Sequence, residues 1–273
     1  MSYDVAWQDD GRFECKYAMP VSMRERLIES AAHIQPDPHA QDLGDGTFGY
    51  VVHSVYFDTP DFHDFYGRLD EAKVRDRLRA RTYGKPGDGA PVFLENKRKL
   101  DDRVVKSRGY ITDADSWCAT DEAWPWRRWM DSGKRKDRRV ARDFDRLVAG
   151  VRRPVSVVHY DREVWVSTRP GEHKVRLTLD LRITATIAPR AQDLYAPGDV
   201  YLIPEDWMVV ELKYDGDRPG WMRRIARDLG LRAHPVSKFG LSVSFGLKSD
   251  HASARRYLMP RPLRDLGWGL EVH

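Results

Sequence analysis

Charged and apolar side chains alternate along short stretches of this chain, with a period of two. In Val74–Tyr83 (VRDRLRARTY), Arg75, Arg77, Arg79 and Arg81 fall on one side. In Pro91–Arg98 (PVFLENKR), Phe93, Glu95 and Lys97 oppose Val92, Leu94 and Asn96. Side chains two apart on a strand share a face, so both stretches are predicted strands with one charged face. The pattern recurs as Glu14/Lys16, Lys106/Arg108, Tyr160/Arg162, Arg176/Thr178/Asp180 and Glu211/Lys213. Their neighbours are apolar: Val175 and Leu177 flank Arg176, and Val210 and Leu212 flank Glu211. One such strand is an ordinary half-buried strand with its charged face in water. Recurrence in both halves of the chain predicts a closed sheet whose charged faces look inward.

An interior lined by Lys and Arg, with a few carboxylates, is costly to leave without a counter-charge, because crowded cations repel and are partly desolvated. A polyanion relieves that cost. Arg supplies forked donors matched to phosphate oxygens, and Lys supplies compact point charges. The glutamates do not suit phosphate. They suit a hard divalent cation that bridges carboxylate and phosphate, as Mg²⁺ does. The residues alone therefore point to a metal-assisted site for a condensed phosphate. Taken singly, such pairs are more often solvated strand faces, or cross-strand salt bridges where Glu meets Lys.

The chain has 273 residues, 41% of them hydrophobic, which is enough for a core. A net charge of +4 is a mild excess, so placement matters more than the sum. Two cysteines, Cys15 and Cys118, make no metal cluster; a disulfide between them stays open, and so low a count suggests a reducing cytoplasm. The polar start is unlike a signal peptide, and no apolar run nears the roughly 20 residues that span a bilayer. A soluble cytoplasmic protein is expected, with a leader at 1–11, a domain over 12–247 and a tail at 248–273.

Within that domain, Arg12–Ala18 is a predicted strand. A capping box of Ser22 and Glu25 opens a helix carrying Leu27, Ile28 and Ala31 that ends near Gln35. Tyr50–Phe57 is a strand and Phe62–Leu69 a short helix. A Gly/Pro turn at Gly84–Gly89 joins the two opening strands, and Arg103–Thr112 follows as a third. Residues 113–150 form a helical insertion. There Trp117, Trp124, Trp126 and Trp129 cluster, and Val140, Phe144, Leu147 and Val148 have helical spacing. Val155–Ser167, His173–Ile187 and Met208–Tyr214 are strands. A helix after Pro219 buries Trp221, Met222 and Ile225 and stops at Gly230, and Ser237–Leu247 is the last strand. His53 and His159 read as structural, and Cys15 as a small packed hydrophobe. The basic run Lys134–Arg142 reads as a solvated helix face. It has no interleaved aromatics on a strand, so nucleic acid is not an expected partner.

Taken in order, RFECKY, SVYFDTPDF, RLRARTYG, VFLENKRK, VKSRGYI, VVHYDREVW, VRLTLDLRI, VVELKYDG and VSKFGLSV resemble the VTC domain. This is the polyphosphate polymerase domain of vacuolar transporter chaperone complexes, also found as stand-alone prokaryotic proteins. The resemblance runs from about Arg12 to Leu247. It implies an α+β, mainly β fold of the triphosphate-tunnel (CYTH-like) type: an antiparallel eight-stranded closed β-barrel with helices packed outside. It also implies a basic lumen that takes ATP and polyphosphate or triphosphate with Mn²⁺ or Mg²⁺.

Position by position, the resemblance matches Lys16, Arg79, Arg81 and Lys238 to the family's catalytic cations. Tyr160, Arg162 and Arg176 match its phosphate-binding strands, and Glu211 its metal-binding glutamate. Lys97, Lys106, Arg108 and Lys213 fit as further phosphate ligands, and Glu14 and Glu95 as further metal ligands. One departure is Arg12-Phe13-Glu14-Cys15-Lys16, where the hydrolase branch opens with Glu-x-Glu-x-Lys. Arg in place of the first Glu favours the polymerase-type branch. The chain shows neither the SPX domain nor the membrane helices of eukaryotic members, so any membrane link is expected through a partner protein. The expected reaction is transfer of the ATP γ-phosphate to a phosphate chain. Hydrolysis on the same tunnel and a non-catalytic polyphosphate-binding module are the alternatives.

Overall fold

A computed structural model describes residues 12–31, 33–43, 47–101, 103–172, 175–233, 236–247, 258–266 and 268. The leader expected at 1–11, residues 173 and 174 of the expected strand, and much of the expected tail lie outside these. The fold is mostly antiparallel β-sheet with helices. Its strands are β1 (Arg12–Pro20), β2 (Ile34–Pro36), β3 (Gln41–Asp42), β4 (Phe48–Asp58), β5 (Val74–Arg75), β6 (Leu78–Tyr83), β7 (Pro91–Leu100), β8 (Arg103–Asp113), β9 (Arg153–Ser167), β10 (Arg176–Ile187), β11 (Val200–Tyr201) and β12 (Trp207–Asp215). The helices are α1 (Arg24–Ser30), α2 (His63–Leu69), α3 (Ala114–Cys118), α4 (Arg135–Val148), α5 (Gly220–Asp228), α6 (Lys238–Gly246) and α7 (Arg261–Asp265). Among the described residues, no helix is long and apolar enough to cross a membrane.

The expected eight-stranded closed barrel is corrected. The sheet has twelve strands in the order β1-β12-β10-β9-β4-β6-β7-β5, with β8 paired to β7, and hydrogen bonds among the described residues do not close it. One outer strand shows a local reason. On β8, the backbone N–H of Tyr110 is taken by the Asp137 side chain of α4 at 3.0 Å. α4 also lies so close that a Cβ on Gly109 would meet Val140 at 2.8 Å. A covered, side-chain-capped edge is not available for pairing.

The chain divides into two compact units. In the first, His53–Val158 with Thr186–Pro197, α3 and α4 pack on one face of β4, β6, β7 and β8. The core there holds Phe57, Leu78, Leu94, Trp117, Trp126 and Phe144. Trp117 and Trp126 stack at 6.1 Å, and each indole N–H finds an oxygen, on Ala191 and Asp145 respectively. Burial of these large rings is the main stabilising contribution of the helical layer, at about 25 cal/mol per Å² of apolar surface.

In the second unit, whose described residues fall within 12–52, 159–185 and 198–268, α1 and α5 cover one face of β1, β10 and β12. Tyr17, Met19, Leu177, Leu179, Val210, Leu212, Trp221 and Ile225 fill that core, with Cys15 packed beside it. The period of two then places Glu14, Lys16, Thr178, Asp180, Glu211 and Lys213 on the opposite face. Cys15 and Cys118 are both free thiols, which settles the open disulfide.

Three local expectations are also revised. Ser237–Leu247 is the helix α6, capped by Ser237, whose hydroxyl accepts from the Gly240 N–H. Phe239, Leu241 and Val243 mimic strand alternation, but the intervening Gly240, Ser242 and Ser244 are buried as well. Ser242 and Ser244 donate back to the Phe239 and Leu241 carbonyls, so a helix buried all round loses its 3.6 period. The expected Val74–Tyr83 strand breaks at Asp76, whose buried carboxylate turns to accept from Asn96 and Arg98. Lastly, Ser22 lies in a 3₁₀ turn without capping α1, which ends at Ser30, and Ile34–Pro36 pairs with β9 instead of ending a helix.

Gly49 on β4 allows a close backbone approach in the second unit. A Cβ there would sit 1.9 Å from the Arg162 carbonyl oxygen on β9. Backbone cannot yield as a side-chain tip can. Gly49→Ala is expected to cost about 3 kcal/mol, the upper end for overpacking, in denaturant unfolding. Wild-type stability in that variant would contradict the close approach.

Candidate functional site

Each unit presents a charged sheet face opposite its helix-packed core. In the second unit the cross-strand register sets Lys16 opposite Glu211, and Glu211 opposite Thr178. The next row is Glu14, Lys213 and Arg176. Glu211 is 3% exposed and is the hub. Lys16 Nζ lies 2.9 Å from it, Lys213 Nζ 2.7 Å, Arg162 3.4 Å and Lys238 Nζ 3.7 Å. Burial alone would raise the Glu211 carboxyl, but Lys16, Arg162, Lys213 and Lys238 hold it well below the ordinary range. Lys16 also reaches Glu14 at 2.8 Å; although burial opposes it, the Glu211 and Glu14 carboxylates raise its ammonium. Lys213 goes the other way, pushed down by burial and by Arg162 despite Glu211.

Asp180 is the second anchor, fully buried on β10. Arg162 grips it with two parallel bonds of 2.6 and 2.7 Å, and Lys238, the first residue of α6, closes on the same carboxylate. Lys238 and Arg162 also lie over the Tyr160 ring, at 4.6 and 5.1 Å from its centre. This cation–π contact holds both cations without neutralising them. Burial favours a protonated Asp180, yet Arg162 and Lys238 keep it ionised. Arg176 stands at the rim, half exposed and 3.8 Å from Asp37. Among the described residues, four close-set cations (Lys16, Arg162, Lys213, Lys238) thus face three carboxylates (Glu14, Asp180, Glu211), an excess of one positive charge.

The first unit carries its own cluster. Arg79, Glu95 and Arg108 form one row across β6, β7 and β8. Arg79 donates to Glu95 at 2.5 Å and to the Tyr56 hydroxyl at 3.2 Å, and Arg108 lies 3.4 Å from Glu95. Arg81 is buried and donates to Ser54 at 2.9 Å. Lys97 and Lys106 oppose each other on β7 and β8, a like-charge pair that disfavours the bare strands. Against burial, Arg79, Arg81 and Arg108 bring the Glu95 carboxyl down to about 2. Burial and the neighbouring Arg68 push the Arg77 guanidinium down to about 10, a sign of crowded cations.

Tyr56 reports that field. Burial would raise its phenol, but Arg79, Arg81 and Arg77 pull it down to about 8. Ionised Tyr56 therefore adds stability fully present above its unfolded value near 10 and gone once pH falls below about 8. At neutral pH it is a neutral hydroxyl, and as pH rises through 8 its phenolate cancels part of the arginine charge. Phosphate-chain binding is expected to weaken across that interval. A phenolate absorbance step near pH 8, lost in Tyr56→Phe, is the check.

Sequence reading missed Tyr56 and Ser54, because YVVHSVYF looks like plain core. It left Asp180 and Arg77 out of the candidate set although both lie in the alternation. The glutamates separate by role. Glu14 and Glu211 share Lys16, while Glu95 lies in the first unit as the counter-ion of two arginines. His53 is structural, its ring nitrogen 3.0 Å from the Gly84 carbonyl oxygen.

The donor chemistry bears on an expected divalent cation. Glu14 and Glu211 offer hard, ionised oxygens, the right kind for Mg²⁺ or Mn²⁺. Among the described residues, no group of three or more His, Cys, Asp or Glu is placed to hold a metal. Mg²⁺ is commonly held by one or two carboxylates with substrate phosphates completing its shell, and that arrangement the pair fits.

Each unit thus carries a charged sheet face on which clustered Lys and Arg side chains meet buried carboxylates. The chain belongs to the VTC domain family, whose model matches residues 11–245. No curated protein matches it. Among solved structures it is similar to a candidate adenylate cyclase from Vibrio parahaemolyticus, at 11% identity and a TM-score of 0.41, over 84% of this chain and 96% of that one. It is also similar to HpAC1 from Hippeastrum, a candidate adenylyl cyclase described as having a dominant triphosphatase activity. There the identity is 18% and the TM-score 0.48, over 86% of this chain and 97% of that one.

Proposed function

We propose that this protein is a polyphosphate polymerase-type phosphotransferase that moves the γ-phosphate of ATP onto a phosphate chain. The supporting observation is the convergence of Lys16, Arg162, Lys213 and Lys238 on the buried carboxylates of Glu211 and Asp180, in a chain of the VTC domain family. A phosphate oxygen is already ionised, and transfer to it needs positioning and charge neutralisation above all.

In this reading Arg162, Lys16, Lys213 and Lys238 hold the phosphates, with Arg176 receiving the chain at the rim. Tyr160 and Asp180 fix the directions of Arg162 and Lys238. Arg79, Arg81, Arg108, Lys97 and Lys106 give the first unit its own phosphate-binding face. Glu211, with Glu14, would hold Mg²⁺ or Mn²⁺, which when bound withdraws charge from phosphate oxygens. The cluster is already one charge positive, so the cation enters with its phosphate and not alone. Free thiols at Cys15 and Cys118 suit a reducing, cytoplasmic setting.

The test is γ-labelled ATP, Mn²⁺ and a short polyphosphate primer with purified protein, resolved on a gel. A ladder of lengthening chains is expected. Labelled orthophosphate alone would make the protein a hydrolase. Binding without either product would leave a polyphosphate-binding module.

A further inference from the structure

Beside the arginines of the first unit, the charged face carries aromatic rings that the phosphate reading does not use. Tyr83 follows Arg79 and Arg81 along β6, Phe93 precedes Glu95 on β7, and Tyr110 follows Lys106 and Arg108 on β8. The register pairs Phe93 with Arg81 on one side and Tyr110 on the other. Tyr110 lies two residues after Arg108 in the same unbroken register, so it shares that face, and the shift falls beyond it, between Val92 and Phe93. Both tyrosine rings stand across Phe93, at 69° and 71° and each 6.3 Å from its centre. Phe93 is the floor between two walls. Arg108 lies on that floor, 3.8 Å from the ring centre, and its Nη2 bonds the Tyr83 hydroxyl at 3.3 Å.

These rings sit opposite the tryptophan core, so they do not serve the packing of α3 and α4. Tyr110 is 43% exposed, and the Arg108 side chain is nearly half exposed. Arg108 also lies over the Tyr83 ring, 5.6 Å from its centre, yet its side chain stays nearly half exposed, and nucleobases stack on both guanidinium planes and aromatic rings. The nearest charged groups in the same rows are Arg81, Glu95 and Arg79.

We propose that Arg108, Phe93, Tyr83 and Tyr110 form a nucleobase-stacking subsite for a nucleoside triphosphate whose phosphates lie on Arg79 and Arg81. The inference rests on the phosphate-binding face read above for the first unit and names a nucleotide as the ligand of that face. The Tyr83 hydroxyl is already engaged by Arg108, so the subsite stacks a base without reading its edge. Purine nucleotides are favoured over pyrimidine ones by stacking strength, with little choice between adenine and guanine.

Calorimetric titration of the full chain with ATP, GTP, CTP and tripolyphosphate tests this, using wild type, Tyr110→Ala and Phe93→Leu. ATP and GTP affinity is expected to fall about tenfold in each variant while tripolyphosphate affinity stays unchanged. Tripolyphosphate thus serves as the control for folding and for the phosphate site. Unchanged ATP affinity in both variants would overturn the subsite and leave the phosphate reading intact. An equal loss for ATP and tripolyphosphate would overturn it too, by making the rings a support for the arginines. A wild-type protein that binds neither ligand would overturn the phosphate reading and the subsite together.

Discussion

Glu211→Gln is expected to abolish turnover and to destabilise the ligand-free protein by about 3 to 5 kcal/mol, the cost of leaving buried charge without its partner. Glu211 is the carboxylate on which Lys16, Lys213, Arg162 and Lys238 converge. Gln keeps the shape but removes the charge and turns an amide N–H₂ toward groups that can only donate. The excess of one positive charge becomes two. Tripolyphosphate supplies the missing negative charge, so it should raise the melting temperature of the variant more than that of wild type.

The pH dependence follows from the direction of the Glu211 shift. Its carboxyl is depressed on folding, so its contribution is present above the ordinary glutamate value near 4.5 and is lost as pH falls below it. The gap between wild type and variant should be full at pH 7 and shrink in acid. Melting curves from pH 8 down to about pH 2, with and without tripolyphosphate, measure both effects. Equal melting temperatures at pH 7, or retained turnover, would remove Glu211 from the centre of the site.

The alternating faces were legible because a strand's period of two is a property of the backbone and survives any tertiary context. Glu14/Lys16 and Glu211/Lys213 could thus be set on one face before their partners were known. Their pairing could not, since register depends on which strands adjoin, and it is register that puts Lys16 against Glu211. Closure was misjudged for a related reason. Charge on a strand face constrains that face, whereas closure is decided at edges, and Asp137 capping Tyr110 leaves no mark in the local pattern. α6 was illegible as a helix because burial on every side erases the polar stripe by which helices are recognised. Asp180 lies in the same alternation, but nothing local in the sequence marks which cations it would meet. The structure places it against Arg162 and Lys238, both of which contact its carboxylate.

Those contacts give Asp180→Asn an effect opposite in sign for binding and for turnover. Removing a charge that faces bound phosphate favours the anion. At an effective dielectric of about 20, one unit charge some 6 Å away is worth roughly 3 kcal/mol before screening. Tripolyphosphate affinity should therefore hold or rise. Turnover should fall on the order of 100-fold, because Arg162 loses its bidentate grip, and displacement of a positioning group by about 1 Å has that cost. Lys238 loses the same anchor and keeps only the Tyr160 ring and the longer Glu211 contact. A metal ligand at this position would behave differently, with turnover recovering as Mn²⁺ is raised. Measuring Kd for tripolyphosphate alongside kcat over a Mn²⁺ series separates the two. Intact affinity with low kcat at every Mn²⁺ concentration identifies a positioning carboxylate, while kcat restored by excess Mn²⁺ would transfer Asp180 to the metal.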